Sequence, residues 1–171
     1  QVVFEPPWAL RIADHSPLAL ATTLHGEAWI VPDDDEPTLI RTGDVAVIKG
    51  PDPYTVADHP DTPASLVLDA ANRLITADGR DVTAQLRPSP HTSTIGPRSG
   101  EPGPNRRTVL ASGTYQVTGD VSGRLLAALP PVVRVPREDI RSPIMDILAA
   151  EVSEDAPGQQ VMLNRLLDLA L

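Results

Sequence analysis

The chain has 171 residues, 41% of them hydrophobic, a formal net charge of −9 from 14 basic and 23 acidic side chains, and no cysteine. That length fits one domain, or one domain with a helical appendage, and the apolar share excludes global disorder. The acidic balance opposes direct contact with phosphate backbones, and the lack of cysteine excludes disulfides, thiolate metal sites and cysteine nucleophiles.

With 11 glycines and 19 prolines, short strands joined by turns are favoured over an all-helical fold. Val2-Val3-Phe4 is already a β-prone run. Strands are expected over Trp8 to Ile12, Leu18 to Leu24, Glu27 to Val31, Thr38 to Arg41, Val45 to Ile48, Tyr54 to Val56, Ser65 to Leu68 and Arg73 to Thr76. The intervening Gly, Pro and Asp residues mark turns, and the close spacing points to an antiparallel barrel or sandwich. Asp33-Asp34-Asp35 lacks the spaced oxygen ligands of a calcium loop and reads as a solvated hairpin tip.

From about residue 78 to 106 the hydrophobic signal collapses into a Pro/Gly/Ser-rich stretch, expected to be a flexible insertion. A strand follows over Thr108 to Val117. Asp120 then caps a short helix over Ser122 to Leu129, stopped by Pro130-Pro131, and Val132 to Val135 is a further strand. Ser142-Pro143 opens a helix with Ile144, Ile147, Leu148 and Val152 on one face. After Pro157-Gly158, Met162, Leu163, Leu166, Leu167 and Ala170 recur at helical spacing to the end. The fold expected is therefore mainly β with C-terminal helices: a barrel over residues 1–136 and a helical hairpin over residues 137–171. The β-prone start at Gln1 and the uncapped apolar end at Leu171 suggest a domain cut from a longer protein.

Catalytic signatures are scarce. His15, His25, His59 and His91 stand alone, without a His-x-His or a helical ligand pair. No Gly-x-Ser-x-Gly elbow or phosphate-cradling glycine motif occurs. No metal, cofactor or catalytic residue is assigned. Trp8, Trp29, Tyr54 and Tyr115 fall in expected strands, or at the start of one, and are candidates to line a small-molecule pocket, with core packing as the competing role. Arg11 and His25 are candidates to anchor an acidic or hydroxylated ligand group. The final helix is apolar around most of its circumference, so Met162, Leu163, Leu166 and Leu167 are candidates for a dimer interface, together with Ile144 and Leu148 on the apolar face of the helix before it. No apolar run reaches membrane-spanning length and no signal peptide is visible, so a cytoplasmic protein without membrane contact is expected.

The segment Gly43-Asp44 through Val45-Ala46-Val47-Ile48-Lys49-Gly50-Pro51-Asp52-Pro53-Tyr54 resembles the second cupin motif, and Leu20 to Gly26 with Glu27 to Val31 looks like the first. Trp8-Ala9-Leu10-Arg11, Gly113-Thr114-Tyr115 and Leu126-Ala127-Ala128-Leu129-Pro130-Pro131 are similar to the cupin-type sensor domains of AraC-family regulators, as is the closing stretch from Ile147 to Leu167. The resemblance implies a jelly-roll barrel that binds a small effector and forms a homodimer through its last two helices. DNA binding would belong to a separate helix-turn-helix domain beyond this chain. Metal-binding cupins carry a His-x-His and a Glu in the first motif, where this chain has Ala21-Thr22-Thr23-Leu24-His25. In the second motif Tyr54 replaces their histidine and Lys49 their usual proline. Two alternatives stay open: a metal-dependent cupin enzyme built from converging histidines, and a dimerisation domain whose barrel is filled by its own side chains.

Overall fold

The computed structural model describes residues 2–86, 94–95, 107–115 and 126–140. Twelve strands among them form two six-stranded sheets. In chain order they are β1 (Val2–Phe4), β2 (Ala9–Ala13), β3 (Leu18–His25), β4 (Glu27–Pro32), β5 (Thr38–Arg41), β6 (Val45–Lys49), β7 (Tyr54–Ala57), β8 (Leu66–Asp69), β9 (Leu74–Thr76), β10 (Thr94–Ile95), β11 (Thr108–Tyr115) and β12 (Val132–Val135). The first sheet has the order β10-β1-β11-β3-β6-β12, and the second β5-β4-β7-β2-β8-β9. Most pairs are antiparallel; β1 with β10 and β2 with β8 run parallel.

Period-two burial sets the inner faces. In β4, Ala28 and Ile30 are fully buried, while Trp29 between them is half-buried on the other face. In β6, Ala46 and Ile48 point inward and pair with Ala21 and Ala19 of β3, which also point inward. Ile12, Ile30, Ile40, Ile48, Val56 and Leu66 fill the space between the sheets, with Phe4 and Trp8 stacked at one end, their ring centroids 4.1 Å apart. Burying each of these larger side chains stabilises the fold by about 1.5–3 kcal/mol before the entropy of ordering is set against it. On the opposite face of the first sheet, Val3, Leu24, Val109 and Ala111 form a smaller cluster.

The chain crosses from one sheet to the other at Gly26, the single residue between β3 and β4. Its φ of +77° suits glycine, and a Cβ there would lie 2.6 Å from the Arg107 carbonyl oxygen. Thr108 completes this corner by donating its hydroxyl to the Glu27 carbonyl at 2.9 Å.

The expected β-strands appear close to their predicted positions, but the expected fold class needs correction. The described structure is two packed sheets, with one four-residue helix at Thr83–Leu86, helical residues at 126–128 and a 3-10 turn at Arg137–Asp139. No helical hairpin is part of it. Residues 137–140, where the hairpin unit was to begin, form a single 3-10 turn whose first N–H, that of Arg137, is accepted by the Asp44 carboxylate, and the backbone is extended again at Ile140. The candidate interface residues Ile144, Leu148, Met162, Leu163, Leu166 and Leu167 lie outside the described residues, as does His91. Thr83–Leu86 and Thr94–Ile95 are two short elements within the stretch expected to be an insertion.

Candidate functional site

At one end of the sandwich the β4–β5 turn, the end of β6, the β6–β7 turn and the start of β12 enclose a cavity of about 170 Å³. Its apolar surfaces come from Ile48, Val132, Pro53 and Pro131. Its polar surfaces come from Tyr54, Lys49 and the carboxylates of Asp33, Asp34, Asp35 and Asp52. With Asp33 ion-paired to Arg11, three acids against one lysine still give the lining an excess of negative charge.

Tyr54 opens β7, opposite Ile12 on one side and Pro32 on the other, so its ring lies against the core. Burial pushes its hydroxyl well above the ordinary tyrosine range, and the negative charge of Asp14 adds to the effect. The phenol therefore stays neutral at any physiological pH and can both donate and accept a hydrogen bond. Lys49 ends β6. Its ammonium donates to the Leu129 carbonyl and its backbone N–H to the Pro131 carbonyl at 2.9 Å. A proline at this position, as in the usual motif, has no N–H to make the second bond.

The structure separates the residues that the sequence grouped as a pocket. Of the six, Tyr54 lines the cavity and the other five do not. Trp8 is only 2% exposed and belongs to the core at the other end of the sandwich; its indole N–H has no partner among the described residues. Trp29 and Tyr115 lie on outer faces. Trp29 alternates with the fully buried Ala28 and Ile30, and the Tyr115 ring covers the bare Cα of Gly113 two residues away. Arg11 faces outward beside Thr55 and makes a bidentate ion pair with Asp33, so its charge is already matched. That pairing holds the Asp33 carboxyl below its usual range. His25 is exposed at the end of β3 remote from Leu18, the partner of Lys49.

The three described histidines stay apart. His15 lies between β2 and β3, with its ring against the Pro51 carbonyl at 3.2 Å; His25 ends β3; His59 follows β7 and approaches Asp61. Among the described residues no group of three or more His, Cys, Asp or Glu side chains is placed to hold a metal ion.

One residue that sequence reasoning did not single out organises the neighbouring structure. Asp44 is 3% exposed. One carboxylate oxygen accepts the Arg41 N–H at 2.9 Å and the Arg134 Nε–H at 2.7 Å, and the other accepts the Arg137 N–H at 3.1 Å. Burial opposes the charge, but these bonds outweigh it and hold the carboxyl below the usual carboxylate range. The signal available in the sequence was the Gly43-Asp44 pair itself. Gly43 has a φ of +87°, and its missing Cβ leaves room for the Arg137 side chain.

A two-sheet sandwich with the Gly-Asp turn before β6 and Tyr54 at its open end agrees with the comparison by family: the family model described as Cupin matches residues 1–171. The chain belongs to the cupin family. No curated protein matches it. In this cupin the cavity beside Tyr54, a neutral phenol, is lined by acidic residues and one lysine and by no histidine. No helix of the described residues is long and apolar enough to cross a membrane.

Proposed function

We propose that this cupin is the effector-binding domain of an AraC-type bacterial transcriptional regulator and that it performs no catalysis. The observation that carries the reading is that Tyr54, where the sequence resemblance puts the motif's histidine, lines a cavity of about 170 Å³. A buried, neutral phenol beside apolar walls suits recognition of a small organic molecule better than metal chemistry. The acidic lining disfavours anionic effectors, and Arg11, already paired with Asp33, is not available to reverse that preference.

In such a regulator, effector occupancy would favour one of two arrangements of the sensor, which requires different affinity for the effector in each. DNA contact would belong to a separate helix-turn-helix domain, since a net charge of −9 repels phosphate. The chain would act as a homodimer.

The test is thermal stabilisation of the 171-residue chain against a metabolite library, repeated with Tyr54→Phe and accompanied by metal analysis. A saturable rise in Tm with one compound class, reduced by Tyr54→Phe, supports the reading. Stoichiometric metal overturns it in favour of a cupin enzyme. A second reading, a structural domain whose interior is filled by its own side chains, is favoured by the continuous core through Ile12, Ile30, Ile40 and Ile48. No stabilisation by any compound would select it.

A further inference from the structure

We infer that β12 is a strap held to the sandwich by two separate latches and that it opens first at the cavity end. Among the described residues β12 is an edge strand whose neighbour in the first sheet is β6, and the two share a ladder of only four residue pairs, from Val132↔Ile48 to Val135↔Val45. Edge strands with short ladders are held by what secures their ends.

The two ends are secured by different chemistry. At the cavity, Lys49 supplies both bonds: its ammonium to the Leu129 carbonyl and its N–H to the Pro131 carbonyl. This latch is half-buried and lies in the cavity wall, where water competes for both partners. At the far end the buried Asp44 carboxylate receives the Arg134 guanidinium and the Arg137 N–H, and the Arg137 side chain packs on Gly43. Both latches use a cation, but the Asp44 latch joins two opposite charges on a carboxylate only 3% exposed that also accepts the Arg41 and Arg137 N–H groups, and it outlasts one that ends on neutral carbonyls. The strap therefore peels from Leu129 toward Arg134, while Arg137 stays fastened.

Peeling removes Pro131 and Val132 from the cavity wall and exposes the flank of Ile48, the cross-strand partner of Val132. The strap is thus a gate at the edge of the small cavity, hinged at the Asp44 latch. Its use as a gate rests on the cavity being the effector site; the two latches do not.

Amide hydrogen exchange of the 171-residue chain, followed by NMR, tests it. The Lys49 N–H reports the cavity latch and the Arg137 N–H reports the Asp44 latch. In Lys49→Met, exchange at residues 47, 49 and 133, whose N–H groups lie in the β6–β12 ladder, should rise at least tenfold, with Arg137 and the β2–β7 amides unchanged. In Asp44→Asn, or in Arg134→Met should the first variant not fold, exchange at Arg137 should rise at least tenfold. A Val47→Cys/Val133→Cys cross-link, clean in a protein without cysteine, should cancel the Lys49→Met effect. Equal rises at residues 49 and 137 in either variant, or exchange of both only with the β2–β7 amides, would overturn the inference. A library without effector hits would defeat the effector reading and leave these exchange rates as they are.

Discussion

Two adjacent threonines in β3 should respond to the same substitution with opposite signs. Thr22 and Thr23 are 3% and 0% exposed, so water reaches neither hydroxyl. The Thr22 hydroxyl donates to the Asp44 carbonyl at 2.8 Å. The Thr23 hydroxyl has no partner among the described residues, although its carbonyl accepts the Gly43 N–H at 2.7 Å. An unsatisfied buried hydroxyl costs about 1–3 kcal/mol, whereas a satisfied one contributes about 1 kcal/mol. Valine keeps the β-branched shape and adds a buried methyl worth about 0.8 kcal/mol. Thr23→Val should therefore stabilise the protein by about 2 kcal/mol, raising Tm by roughly 4–8 °C. Thr22→Val should lower stability by about 1 kcal/mol, because the Asp44 carbonyl loses its donor. Urea unfolding of both variants at neutral pH, with m-values compared to confirm that the slope is unchanged, measures the difference directly. Destabilisation by Thr23→Val would refute the reasoning and show that this hydroxyl is bonded in the folded protein.

Further outcomes follow from charge and backbone geometry. The Asp44 carboxyl titrates below its unfolded value, so its stabilisation is present above about pH 4 and is lost as the pH falls through the folded pKa; acid unfolding of Asp44→Asn should show a flatter acid limb. Tyr54 titrates above its unfolded value, so its contribution is intact below about pH 10 and lost as the pH rises further, and Tyr54→Phe should remove part of the alkaline loss seen in urea midpoints. Gly26→Ala combines a positive φ with a Cβ 2.6 Å from the Arg107 oxygen and should cost about 1–3 kcal/mol in thermal unfolding. Arg11→Ala should cost less than about 1 kcal/mol, since Asp33 is half-exposed and water replaces the pair; a high-salt comparison should shrink the difference further.

The strands were readable because each is a short apolar or alternating run closed by Gly, Pro or Asp, and the turns around Gly26 and Gly43 demand those residues. Which face looks inward was not readable. Ala28-Trp29-Ile30-Val31 is apolar at every position, so periodicity cannot decide whether Trp29 or its neighbours face the core, and burial places Ala28 and Ile30 there. Tyr115 misled for a related reason: Gly113, two residues earlier, gives its ring a resting place on the outer face. Tyr54 was legible from its place in the motif. The acidic wall opposite it comes from a turn that looked like plain solvated surface, and only the third dimension brings Asp33 to Asp35 beside Lys49. Asp44 was visible as a motif residue, but Arg134 and Arg137 reach it from far along the chain, beyond any local pattern.

The two sheets also differ in how much of the chain each must wait for. Every strand of the second sheet lies within residues 9–76, so it can assemble as soon as that stretch exists. The first sheet pairs β3 and β6 with β11 and β12, and β1 with β10 and β11, joining segments from both ends of the described chain. Because closing long loops costs entropy before their contacts repay it, the second sheet should form early and the first should complete the fold. During synthesis the apolar face of Ile30, Ile40, Val56 and Leu66 would then be only partly covered, by β3 and β6, until residues 108–135 emerge, an interval in which the nascent protein is exposed to aggregation.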